Sequence, residues 1–355
     1  MNVFIHRFCL LRLAVIIALC AYAVDAQTQS TCEPSPPMRP NAGPGVGGLI
    51  LSHDGKTLVV ATGDGKIRFI DMNTGEVKRT LTGHTNMVYI ANYSPNEKLL
   101  ASSSRDLTAR IWDLASGKEL HKLGGFRCAV KAVGFSPDGR TLAASGNDGM
   151  LKLWEVKSGK ELKSLVHRDS PDIDMATYAF VFSRDSKQIY AGNGDGTISV
   201  WDVASGKEVR NWKAHENMVF RLTIDTDHRR LISFGDMVVR VWDTTTWREI
   251  QTLSMPRTPG AFSFVGMVAI SDDGKLIAGS YAEFDQKQNT YLGVNTIVWN
   301  AKTGEKLFTL SGHKFDVNGL VFTRDNRFLL TGSVDRTIKF WDMRTGEETR
   351  TITLK

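Results

Sequence analysis

Apolar positions along most of this chain come in short runs broken by polar turns, without the long one-sided stripes of amphipathic helices. The segment 311–354 shows the unit. Gly312-His313 opens it, Leu320-Val321-Phe322 is a first apolar run, and Thr323-Arg324-Asp325-Asn326 is a polar turn. Phe328-Leu329-Leu330 forms a second run, which ends at a turn carrying Asp335. From Thr337 to Asp342 the residues alternate as they do in a half-buried strand, and Thr345-Gly346 turns the chain into a last extended run. The pattern predicts four short strands joined by three turns, one antiparallel sheet.

The same unit recurs through the chain. Trp341-Asp342 aligns with Trp299-Asn300, Trp242-Asp243, Trp201-Asp202, Trp154-Glu155, Trp112-Asp113 and Ile70-Asp71, with steps of 42, 57, 41, 47, 42 and 42 residues. Six of the eight tryptophans fall in this slot, a spacing that identifies an internal repeat. The turns keep phase with it. Ser136-Pro137-Asp138-Gly139 and its counterparts stand between first and second strands, and Ser116-Gly117 or Thr345-Gly346 types stand between third and fourth. Such pairs tolerate the positive φ of tight turns. An aspartate lies six residues before the slot in six units (Asp64, Asp106, Asp148, Asp195, Asp236, Asp335), and unit six has Gly293 there.

The phased Gly-His start, turn aspartate and Trp-Asp end resemble the WD-repeat family of β-propellers over residues 46–355. The resemblance implies an all-β fold, a seven-bladed β-propeller of four-stranded antiparallel blades packed radially around a channel. It also implies a hydrogen-bonded set within each blade. Unit two supplies His84, Ser102, Asp106 and Trp112; unit seven supplies His313, Thr331, Asp335 and Trp341. Unit five supplies His215, Ser233, Asp236 and Trp242, with Ser233 one residue closer to its aspartate than its counterparts, which leaves that contact open. Unit three has Phe126 and Ala144 in place of His and Ser; unit four keeps His167 ahead of an insertion; unit one has neither His nor Trp. A lost partner is expected to leave a buried polar group at a cost of about 1–3 kcal/mol, so blades two, five and seven are expected to be stiffest. Since unit one begins at a first strand and unit seven ends on a fourth, the ring is expected to close without a lent strand, at a seam held by side-chain packing alone.

The N-terminus adds a second theme. Arg7 and Arg12 precede a 12-residue apolar run, 13–24, and small residues stand at Val24 and Ala26. This predicts a secretory signal peptide over 1–26, cleaved after Ala26, and the run is shorter than the roughly 20 residues needed to span a bilayer. Residues 27–45 are rich in Pro and Gly and read as a linker to the propeller at 46–355. The expected location is secreted or periplasmic. Cys32 and Cys128 would remain after cleavage, either paired in an oxidising compartment or as two free thiols. A net charge of +6 without a basic run gives no nucleic-acid footprint.

Candidate chemistry is sparse. The sequence has no His-x-His, His-Glu-x-x-His, Gly-x-Ser-x-Gly or phosphate-loop pattern, and a carboxylate repeated at one offset reads as architecture. No catalytic residue, metal ligand or cofactor is therefore expected, and the chain reads as a monomeric, non-catalytic scaffold for protein partners. The other reading is an envelope enzyme or small-ligand binder that uses the central channel. The resemblance implies protein binding at the rim formed by first-strand starts and aspartate turns. By alignment that rim holds Met87, Tyr89, Arg105, Lys131, Tyr178, Met218, Phe220, Asp316 and Asn318. The irregular stretch 281–293 of unit six, with Tyr281, Phe284 and Tyr291, is expected to be a polar contact loop.

Overall fold

The computed structural model describes residues 43–166 and 177–355. The predicted signal segment, nearly all of the linker, Cys32 and His167 lie outside the described residues. Within them the chain forms seven antiparallel sheets of four strands each. Each sheet takes its strands consecutively, so the blades occupy 46–81, 88–123, 130–166, 177–213, 221–254, 262–311 and 317–353.

Burial follows strand order. Second strands such as Leu99–Ser104 and Phe328–Ser333 are buried on both faces, whereas fourth strands such as Glu119–Leu123 and Glu348–Thr353 are mostly exposed. This explains the unbroken apolar runs of the second strands: each blade is covered on both sides by its neighbours. The core is accordingly divided into seven clusters, each drawn from two adjacent blades. In the cluster between blades one and two, Trp112 lies with Val59, Ile67 and Phe69. Six clusters contain a slot tryptophan, and the cluster between blades seven and one has Ile70 instead.

The repeated turns have local causes. The Asp of each Trp-Asp pair caps the turn after the third strand. Asp113 accepts from the Ser116 amide at 2.7 Å, Asp202 from Ser205 at 2.7 Å and Asp342 from Arg344 at 2.8 Å. The residue that completes the turn is in the left-handed region, which glycine enters at little cost. Blade five has Trp247 there, at φ 62°. Trp247 packs against Tyr190 and Trp212 with ring centroids 5.2 and 5.4 Å away, and the contacts offset the backbone cost.

Among the described residues no strand is lent across the joint between blades seven and one, but that joint is more than side-chain packing. Arg324 donates to the carbonyl of Leu51 at 3.2 Å, Arg350 to that of Met72 at 2.6 Å and Asn318 to that of Val46 at 3.4 Å. Arg79 reaches the Leu114 carbonyl of blade two as Arg350 reaches Met72 of blade one. The innermost strands touch in succession around the whole ring, including Val46–Leu51 against Val317–Phe322. The seam thus repeats the construction of the other joints, with polar links added to an isoleucine-filled slot.

Candidate functional site: the channel mouth

The blade networks fix the face on which the mouth lies. In blade two, Trp112 Nε1 donates to Ser102 Oγ at 2.8 Å, Ser102 Oγ lies 2.7 Å from His84 Nε2, and His84 Nδ1 lies 2.8 Å from Asp106. Blade seven repeats the set: Trp341 to Thr331 at 2.9 Å, Thr331 to His313 at 2.7 Å, His313 to Asp335 at 3.0 Å. Burial lowers the pKa of His84, so its ring is held neutral. Burial pushes the Asp106 and Asp335 carboxyls up, but their imidazole, hydroxyl and backbone N–H partners outweigh it and hold both well below the usual carboxylate range.

In blade five the Ser233 contact left open by the sequence is made. Ser233 Oγ lies 2.8 Å from both His215 Nε2 and Trp242 Nε1. The aspartate behaves differently. Asp236 and Met237 form a tighter turn at φ 54° and 62°, and the carboxylate takes the amides of Glu216 at 2.6 Å and Asn217 at 3.0 Å. His215 Nδ1 stands 3.6 Å away and, among the described residues, has no hydrogen-bond partner.

In blades three and six the histidine and the serine are replaced together, so neither is left as a buried polar group without the other. Blade three stacks Phe126 on Trp154 at 5.9 Å beside the buried Ala144. In blade six a Cβ on Gly279 would lie 2.5 Å from Met255 Cε and 3.2 Å from the Trp299 ring, so methionine and glycine fill the space that histidine and serine fill elsewhere. Replacing both members of a pair by apolar groups is close to neutral. Blade one uses Arg68, which donates to Thr62 at 2.5 Å and grips Asp64 at 2.6 and 2.8 Å. Alignment on histidine missed Arg68, since it comes from the third strand.

Blade six corrects a second expectation. Residues 281–293 are not an irregular loop but the end of a lengthened hairpin, Leu276–Asp285 paired with Thr290–Asn300. Tyr281 and Phe284 are 5% and 8% exposed, which removes them as contact side chains. Glu283 takes over the missing aspartate's task, accepting from Thr258 N at 2.6 Å and Thr258 Oγ1 at 2.8 Å. The only sequence signal for this role is a carboxylate near an otherwise unmatched turn.

Five of the nine predicted rim residues, Tyr89, Lys131, Tyr178, Phe220 and Asn318, fall in one structural class. The innermost strand carries a β-bulge at the same place in six blades, and the extra residues are Gly47, Tyr89, Lys131, Tyr178, Gly266 (with Met267, facing Ser280) and Asn318. Phe220 holds the corresponding place before Arg221–Ile224 in blade five. A bulge breaks pairing and re-aims a side chain. Tyr89, Lys131, Phe220 and Asn318 are half-buried, and the Tyr178 side chain lies outside the described residues. Lys131 Nζ sits 4.2 Å from the centre of the Tyr89 ring and donates to its hydroxyl at 3.2 Å. Met87 is a correction. It is 6% exposed, its methyl packed beside Gly47, so it supports the mouth and does not line its rim. Gly47 itself admits no side chain, because a Cβ would lie 2.2 Å from the Val88 carbonyl oxygen. Arg105 and Met218 are half-buried. Asp316 is drawn in by Tyr291, whose hydroxyl donates to it at 3.3 Å, and burial raises its pKa.

The WD40 description "WD domain, G-beta repeat" matches residues 75–113, 117–155, 159–202, 206–243 and 304–342, more than half of the chain. The chain belongs to the WD40 family. A second WD40 description, that of anaphase-promoting complex subunit 4, matches residues 37–92. Each of the five matches starts in the turn before the fourth strand of one blade and ends on the acidic residue just after the slot tryptophan of the next, so the WD40 sequence repeat is offset from the blade. Among similar proteins, Protein tipD of Dictyostelium discoideum is 30% identical over 40% of this chain and 21% of its own length. The periodic tryptophan protein 2 homolog of Mus musculus is 34% identical over 33% of this chain and 11% of its own. The serine-threonine kinase receptor-associated protein of Gallus gallus is 24% identical over 38% of this chain and 45% of its own. The chain thus spans less than half the length of each of these relatives. WD40 propellers are typically protein-interaction scaffolds.

Proposed function

We propose that this WD40 propeller is an exported, non-catalytic scaffold that binds protein partners at the channel mouth, on the face that carries the histidine loops and aspartate turns. The observation that carries this reading is a contrast between layers. The slot, cap and turn positions repeat around the ring, whereas the bulge position holds Gly47, Tyr89, Lys131, Tyr178, Phe220, Gly266 and Asn318, a mixed set on otherwise matching strands. Rigid repeats with varied, part-exposed aromatic and basic side chains at one layer have the character of a recognition surface. The lengthened hairpin of blade six extends that surface, with Phe262 41%, Leu292 46% and nearby Phe315 40% exposed. Export is supported by the charged and apolar pattern of 1–26 and by the disulfide at Cys128, a bond typical of oxidising compartments.

The test is capture of partners from a native envelope extract by wild-type protein and by Tyr89→Ala and Phe220→Ala variants. Loss of the same partners in both variants is expected, and capture of every partner by both would refute the reading. N-terminal sequencing of the mature protein is expected to begin at Gln27, and an intact Met1 start would remove the export proposal.

A further inference from the structure

Two cations, Arg221 and Lys131, stand on innermost strands at this mouth. Arg221 opens the innermost strand of blade five. Its guanidinium donates from Nε to Met267 Sδ at 2.9 Å and from Nη1 to the carbonyl of Phe220 at 2.9 Å. Arg221 is half-buried. Burial pulls its pKa down to about 10, and the Tyr89 phenol of blade two would raise it only when ionised. Tyr89 in turn carries Lys131 on its face. Among the described residues neither Arg221 nor Lys131 forms an ion pair, although guanidinium and ammonium groups elsewhere in the chain do, as in Arg68–Asp64 and Lys152–Glu161.

A cation withdrawn from water without a counterion costs stability. A thioether and a single carbonyl are poor substitutes for a carboxylate, and among the described residues they take only Nε and Nη1 of the fork. Low-dielectric walls that focus one sign of charge favour an incoming charge of the other. We propose that the channel mouth is an anion-receiving site, in which Arg221, beside the bulge layer that holds the Tyr89–Lys131 pair, takes a carboxylate from an acidic segment of a protein partner. The proposal rests on the reading that partners bind at this mouth, and it adds the chemistry that they must present. Arg221 supplies a planar fork suited to a carboxylate, Lys131 a second positive charge, and the Tyr89 ring holds that lysine in place.

The test uses the full mature protein and a fluorescent hexaglutamate peptide, followed by anisotropy at low ionic strength, with inorganic phosphate as competitor. Wild-type protein is expected to bind the peptide, and Arg221→Met and Lys131→Met are each expected to weaken it at least about tenfold, the scale of one charge-assisted contact. Lys302→Gln, on an exposed turn of blade six, should leave binding unchanged. Arg221→Met should also melt at a higher temperature than wild type without peptide, because it removes an unpaired cation. A merely structural arginine would lower it. Equal peptide binding by wild type and Arg221→Met, or no binding by wild type, overturns the site. Arg221-dependent binding of phosphate without binding of hexaglutamate overturns the acidic-segment assignment. If Tyr89→Ala loses its partners while Arg221→Met keeps them all, the mouth stands as a binding face and only the anion inference falls.

Discussion

The Nδ1 atom of His215 stops 3.6 Å short of the Asp236 carboxylate. In blade two the same pair of groups, His84 and Asp106, closes to 2.8 Å. The cause is a turn one residue shorter, which moves the blade-five carboxylate onto the amides of Glu216 and Asn217. Among the described residues one nitrogen of His215 is therefore buried without a hydrogen-bond partner. His215→Phe is expected to destabilise less than His84→Phe, by about 1–2 kcal/mol, the worth of a hydrogen bond to a charged group. Thermal melts of the two single variants measure the difference.

Acid should loosen the histidine blades in two stages. The folded pKa of His84 lies below its unfolded value, so the unfolded chain binds the proton more readily. Its contribution is complete above the unfolded pKa of about 6.5 and falls as pH drops below it. The Asp106 and Asp335 pKa values are depressed, so their contribution is present above about 3.9 and is lost on further acidification. Melting temperature is expected to fall from pH 7.5 to pH 5.5 and again below pH 4. His84→Phe should flatten the first fall, and an unchanged first fall in that variant would contradict the assignment.

The joint between blades seven and one is expected to be no weaker than its counterparts. Amide exchange in blades one and seven should be as slow as in blade two. Arg324→Ala or Arg350→Ala should speed exchange in blades one and seven selectively, because each removes a donor to a backbone carbonyl across that joint.

Glu283 is expected to be needed for the fold of blade six. It is 7% exposed and receives both the amide and the hydroxyl of Thr258. Glu283→Ala should cost about 1–3 kcal/mol by leaving the Thr258 donors unsatisfied and should open the 255–262 segment to proteolysis. Glu283→Gln, which keeps an acceptor, should restore part of the loss.

Phase is what the sequence by itself determined. The Trp-Asp spacing, the Ser-x-Asp and Thr-Gly turns and the strand alternation each depend on near-neighbour geometry, so they are written locally, and with them came the seven-blade count and the networks of His84, His215 and His313. Contacts between distant segments were not written there. Glu283 stands in for a turn aspartate because the Leu276–Asp285 hairpin is longer, and Arg68 stands in for a histidine from another strand. Met87 turned inward because Gly47 of the next blade leaves it room. The bulges that gather Tyr89, Lys131 and Asn318 on one layer depend on a register between strands. Arg221 looked like any strand arginine. Its place at one mouth with Tyr89 and Lys131 exists only once the ring has closed, because closure is what brings innermost strands so far apart in sequence around one channel.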